Sequence, residues 1–200
     1  MSFRLRLVSL YFGQSAQRSN LLAVEQMTNS TLDSVLKQNV SGYKPPVLES
    51  VGRDLEAIRL RMAKGHKERI RILTGAIGKE KGIEVARAAL FEAGRTLGEG
   101  ARSRLGVKET KEDLELAARL IYRILGIDIE MIFDDAGGEM RVTRCTLSKE
   151  YDEEACIIMS ATDEGMISGL SGRTTMKFKD HIPGGALCCT ARIEFKESEK

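Results

Sequence analysis

The chain of 200 residues has 42% hydrophobic and 30% charged side chains, a balance that fits a folded globular protein rather than a disordered or collagen-like one. Its 31 Lys and Arg nearly cancel 29 Asp and Glu, so no whole-chain field singles out nucleic acid or anionic lipid. The charge is uneven, with 19 basic and 11 acidic side chains in residues 1–110 against 12 and 18 in residues 111–200.

No run of 18 apolar residues occurs, so no membrane-spanning helix is expected. The opening Met1–Leu10 lacks an apolar signal core and a small-residue cleavage site, and reads as a loosely docked tail of a cytoplasmic protein. Residues 15–40 follow as a weakly patterned helix with Leu21, Leu22, Leu32 and Leu36 spaced among polar residues, ended by Pro45 and Pro46. That helix needs a cover, either a second copy of the chain, giving a homodimer, or the next helix. The next helix is expected over 47–74, where Val51, Leu55, Ile58, Met62, Ile70 and Leu73 recur at three- and four-residue steps.

A third helix runs from Gly78 to about Leu105, and its Gly94 and Gly98 point to close helix–helix approach. Thr110 is placed to cap a fourth helix bearing Leu114, Ala117, Ile121 and Leu125. At Gly126 the period changes from 3.6 to 2. Ile129, Met131 and Phe133 alternate with polar positions, Asp134-Asp135-Ala136-Gly137-Gly138 is turn chemistry, and alternation resumes through Met140 and Val142 toward Cys145. Ser148 is positioned to cap a helix over about 149–169. Strands are then expected over 174–179 and 186–195, around the turn Pro183-Gly184-Gly185. The fold class is therefore α+β, an N-terminal helical half packed on a C-terminal ββαββ antiparallel unit. The divisions are 1–44, 45–126 and 127–196, with 45–196 as one domain.

Chemistry concentrates at the C-terminal end. All four cysteines, Cys145, Cys156, Cys188 and Cys189, lie in the last 56 residues, where metal or redox use is favoured over structural disulfides. Cys145, Cys156, His181 and Cys189 could converge into a tetrahedral zinc set. Strand parity opposes two members: Cys189 shares a face with the apolar Ala191 and Ile193, and His181 shares one with Lys177 and Lys179. His66, between Met62 and Ile70, reads as a structural residue. The basic run from Arg53 to Arg71 has no interleaved aromatic residue and reads as a charged face offset by acidic partners, so nucleic acid is not an expected ligand. No P-loop, dinucleotide fingerprint or nucleophile elbow occurs.

Arg141-Val142-Thr143-Arg144-Cys145, then Cys156, Gly165 and Gly169, then Gly185-Ala186-Leu187-Cys188-Cys189, resemble the 4-vinyl reductase domain superfamily, and within it the L-2-amino-thiazoline-4-carboxylic acid hydrolase-like group. The resemblance spans about residues 65–196. It implies an α+β fold that binds small, often hydrophobic molecules, with cysteines as metal ligands. The family's C-x3-G-x3-C appears here as His181-x3-Gly185-x3-Cys189, and Ala186 stands where an Asp often precedes the last Cys. Three expectations follow: a small-molecule-binding or sensing domain with a cysteine-rich zinc site, a metal-assisted hydrolase of a cyclic amidine, or a dimeric interaction protein using the basic helix. In the second, Cys145 or Cys156 could serve as nucleophile.

Overall fold

The computed structural model describes residues 2–134 and 137–195. Six α-helices precede or interrupt a four-stranded sheet: α1 Phe3–Tyr11, α2 Gln14–Asn39, α3 Leu55–Ile77, α4 Lys79–Leu105, α5 Lys111–Leu125, β1 Ile127–Phe133, β2 Gly137–Cys145, α6 Glu153–Ser171, β3 Thr174–Asp180 and β4 Cys189–Phe195. All strand pairs are antiparallel, in the order β1-β2-β4-β3, so β4 sits between the two halves of the ββαββ unit. The change of period at Gly126 marks the real boundary between helices and sheet. Gly126 itself is the left-handed C-cap of α5 (φ 68°).

Local chemistry explains most boundaries. Thr110 accepts from the Asp113 amide at the start of α5, and Gly106 ends α4 in the left-handed region. The segment before α6 differs from the sequence reading. Ser148 Oγ donates to the Cys145 carbonyl inside a short 3-10 turn, and Asp152 is the cap, accepting from the Ala155 amide at 2.9 Å. Glu153 and Glu154 then occupy the first turn, where the helix dipole favours them. The 47–74 helix starts later than its stripe suggests, at Leu55 behind an Asp54 cap. Likewise the last strand begins at Cys189 rather than 186.

The amino-terminal residues are not a loose tail. Ser2 caps α1, its backbone N–H donates to both Asp113 carboxylate oxygens (2.9 and 3.1 Å), and Leu5 is fully buried. The outward face of α1 leaves Phe3, Leu10 and Tyr11 exposed. The apolar stripe of α2 is covered within the chain, with Leu21, Leu32 and Leu36 buried in the same apolar cluster as Ile58, Met62 and Leu73 of α3. The basic run on α3 is mostly paired internally. Arg61 meets Glu25 and Arg69 meets Asp33 on α2, while Lys64 and Lys67 meet Glu150 and Asp152 before α6.

α6 lies between α4 and the sheet. Against α4 the contact is backbone to backbone. A Cβ on Gly94 or Gly98 would fall 2.1 or 2.2 Å from the Thr162 or Met166 carbonyl oxygen, and one on Gly165 or Gly169 2.0 or 2.1 Å from that of Phe91 or Arg95. Arg87 of α4 seals this seam, reaching the Ile157 carbonyl, Ser160 Oγ and the Glu164 carboxylate. No helix among the described residues is long and apolar enough to cross a membrane.

Candidate functional site

The opposite face of α6 carries Cys156, Met159, Ser160 and Asp163, at the i, i+3, i+4, i+7 spacing that aligns side chains on one side of a helix. This face borders a cavity of about 80 Å³. Thr28, Met62 and His66 close it from α2 and α3, Tyr122 from α5, and Val142 and Cys189 from the sheet.

Two further wall residues arrive by β-bulges. In β2, Val142 pairs with Ile129 and Cys145 with Ile127, leaving Thr143 and Arg144 opposite Asp128, both exposed. In β3, Phe178 pairs with Ala191 and Asp180 with Thr190, so Lys179 is the extra residue. A bulge shifts side-chain parity by one position. Cys145 and His181 therefore turn inward, where strict alternation would aim both at solvent. His181 stacks on Phe178, with ring centroids 5.7 Å apart. The redirection comes from the bulge within β3, ahead of the Pro183-Gly184-Gly185 turn.

Burial sets the electrostatics. Desolvation raises the Asp163 carboxyl to about 7, partly offset by the Tyr122 hydroxyl beside it. The same cause pushes the Cys145 thiol up to about 11. Cys156 and Cys189 share a hydrogen bond that drives them apart. Cys156 donates and is raised, while Cys189 accepts from it and from the Ile182 amide (3.2 Å) and is lowered to about 7. His181 is lowered by desolvation and by the nearby Arg87.

His66 is structural, but it is also a wall of the cavity. Thr28 Oγ1 donates to the Val24 carbonyl (2.9 Å), so the contact of 2.7 Å from His66 Nε2 to Thr28 Oγ1 carries the imidazole proton. Nδ1 then accepts from the Tyr151 hydroxyl at 2.6 Å. Complete burial of this neutral ring lowers it to about 3.

Two polar atoms of the lining residues have no hydrogen-bond partner, Thr162 Oγ1 and His181 Nε2, while Tyr122 Oη faces the Asp163 carboxyl. The sequence reading missed Tyr122, Thr162 and Asp163. Asp163 was accessible to it, because it lies seven residues after Cys156 on the same helix face.

Cys145, Cys156, His181 and Cys189 thus border one cavity, and Cys188 is not among its lining residues. Among the described residues, however, no three His, Cys, Asp or Glu side chains are grouped to hold a metal ion. Zn–S bonds near 2.3 Å need sulfurs within about 4 Å of one another.

The profile of the L-2-amino-thiazoline-4-carboxylic acid hydrolase family matches residues 59–193, which include every cysteine, both histidines and both bulges. The chain belongs to this family. No curated protein sequence matches this member of it. Among solved structures, the hydrolase-family chain is similar to the phenol-responsive sensory domain of the transcription activator PoxR, determined with phenol. The TM-score is 0.52 at 15% identity, over 83% of this chain and 89% of that one. It is also similar to trafficking protein particle complex subunit 3 from Naegleria fowleri covalently bound to palmitic acid, with TM-score 0.45, 15% identity and 90% and 98% coverage. An H-NOX protein from S. oneidensis gives TM-score 0.41, 14% identity and the same coverage.

Proposed function

We propose that this chain is a binding or sensing domain for a small, uncharged ring compound held in the cavity. The observation that carries this reading is the coincidence of an apolar cavity with two buried, unpartnered polar atoms, Thr162 Oγ1 and His181 Nε2. An unpaired buried polar group costs about 1–3 kcal/mol, so a ligand that pairs with these atoms recovers free energy the empty fold forgoes. No Lys or Arg is among the lining residues, which favours a neutral ligand over a carboxylate. Phenol, the compound held by the PoxR sensory domain, has the matching chemistry: one apolar ring and one hydroxyl.

The cavity's 80 Å³ is smaller than the roughly 150 Å³ of an engineered cavity that admits benzene. Met62 and Met159 border it, and their unbranched, flexible side chains are the ones able to yield. Calorimetric titration with phenol, alongside thermal unfolding, tests the reading. A saturable heat and a ligand-dependent rise in Tm are expected, both weakened in Tyr122→Phe. Absence of saturable binding for phenol and similar neutral monocyclic compounds at millimolar concentration overturns it.

A second reading, hydrolysis of a cyclic amidine, is supported by membership of the family and by the Cys189 sulfur lying in the same cavity as Asp163. Its test is product formation from L-2-amino-thiazoline-4-carboxylate, lost in Cys189→Ser. The absence of a cation in the cavity wall is the reason it ranks second.

A further inference from the structure

Cys156 and Cys189 come from different elements, the first turn of α6 and the first residue of β4, and meet at the cavity wall. The Cys156 thiol donates a hydrogen bond to the Cys189 sulfur. The Ile182 backbone N–H donates to the same sulfur at 3.2 Å. Two donors converging on one sulfur stabilise negative charge there, so Cys189 is the nucleophile of the pair and Cys156 its neighbour in reserve. The other two thiols are differently placed. The Leu147 and Ser148 amides hold the Cys145 sulfur, and Cys188 precedes β4 and is not among the residues lining the cavity. A peroxide molecule is little larger than water, which needs only about 10–15 Å³ of the cavity's 80 Å³.

We propose that Cys156 and Cys189 are a peroxide-reactive dithiol that closes to an intramolecular disulfide. The Cys189 thiolate attacks one oxygen of hydrogen peroxide, the O–O bond breaks, and hydroxide leaves to become water. Cys189 is then a sulfenic acid. The Cys156 sulfur attacks the sulfenic sulfur, the S–S bond forms, and the departing hydroxide takes the Cys156 proton as a second water. In total, two thiols and one hydrogen peroxide give one disulfide and two waters, the sulfurs losing the two electrons that peroxide gains. The proposal stands whether or not the cavity binds a ring compound, because its readout is covalent.

The full chain, exposed to a slight molar excess of hydrogen peroxide and digested without reductant, supplies the test. The expected product is one cross-linked peptide pair joining Cys156 to Cys189, reversed by dithiothreitol and retained in Cys145→Ser and Cys188→Ser. Cys156→Ser is expected to stop at a Cys189 sulfenic acid that dimedone traps. This second variant keeps the idea testable if Cys189→Ser fails to fold. A cross-link through Cys145 or Cys188, or one between chains, overturns the proposal. So does accumulation of sulfinic acid without a disulfide, or four unreacted thiols at a peroxide dose that oxidises the urea-unfolded protein.

Discussion

The two faces of α6 are built on opposite principles. Toward α4, glycines at 165 and 169 remove side chains altogether, and the helices touch through main-chain atoms that cannot repack. Toward the cavity, the helix presents Cys156, Met159 and Asp163, a polarisable thiol, a flexible thioether and a carboxyl raised to about 7. The first face has no slack, and the second keeps free volume and unpaired polar atoms. A site that must admit a ligand needs one wall that yields and another that does not, and one helix supplies both.

The sharpest way to break this contrast is Gly165→Ala. In an exposed helix the change gains up to about 1 kcal/mol. Here the new methyl would sit 2.0 Å from the Phe91 carbonyl, and a loss of about 3–5 kcal/mol in urea unfolding is expected. Cys156→Ala, on the yielding face, is expected to cost under about 1.5 kcal/mol. Equal losses in the two variants would dissolve the distinction.

Acid probes the cavity side. His66 is held neutral down to about pH 3 in the folded chain, whereas an unfolded histidine binds its proton near 6.5. The unfolded state therefore binds more protons between those values. Stability from this residue is full above about pH 6.5 and is lost at up to about 1.4 kcal/mol per unit as pH falls toward 3. Denaturant midpoints across pH 7 to 4 should decline less steeply in His66→Gln.

Asp163 works in the reverse sense. Its folded carboxyl keeps a proton to about pH 7, so its contribution is present at acid pH and is lost as pH rises from about 4 to 7. Asp163→Asn is expected to match the wild type near pH 4 and exceed it by about 2 kcal/mol at pH 8. A constant difference across that range would refute the assignment. The smallest effect is expected for Tyr122→Phe, which removes the buried hydroxyl facing Asp163: a stability change within about 1 kcal/mol, a further rise of the Asp163 carboxyl, and weaker phenol binding. An Asp163 titration unchanged in that variant would mean that the hydroxyl does not act on the carboxyl.

Element types and order were legible from residue spacing, because helix stripes and strand alternation persist over many residues. Gly94 and Gly98 also announced the close packing they make. What spacing hid were facts of register. Lys177, Phe178 and Lys179 read as plain alternation, and the pattern carries no sign that one residue is unpaired. The tail at Phe3–Tyr11 looked loose because its anchor, the Asp113 carboxylate, lies 111 positions away from Ser2. Tyr122 and Thr162 were hidden for another reason. Tyr122 matters for the Asp163 carboxyl it faces and Thr162 for a hydroxyl that nothing pairs with, and neither leaves a trace in a linear pattern. The four residues of the zinc expectation line one cavity, while the distances that decide ligation exist only in three dimensions.

The paired bulges in β2 and β3 separate two kinds of inheritance within a strand. Residues before each bulge answer to the core, and a change of phase there would turn the whole inner face outward. Residues after it answer to the cavity alone. Loss of Thr143 or Lys179 would restore plain alternation with Cys145 or His181 still inward, whereas one further residue inserted after either bulge would swing them to the surface while Met140, Val142 and Met176 stayed in place. Descendants of this fold can thus revise what lines the cavity by the insertion of a single codon beyond either bulge, with the scaffold untouched.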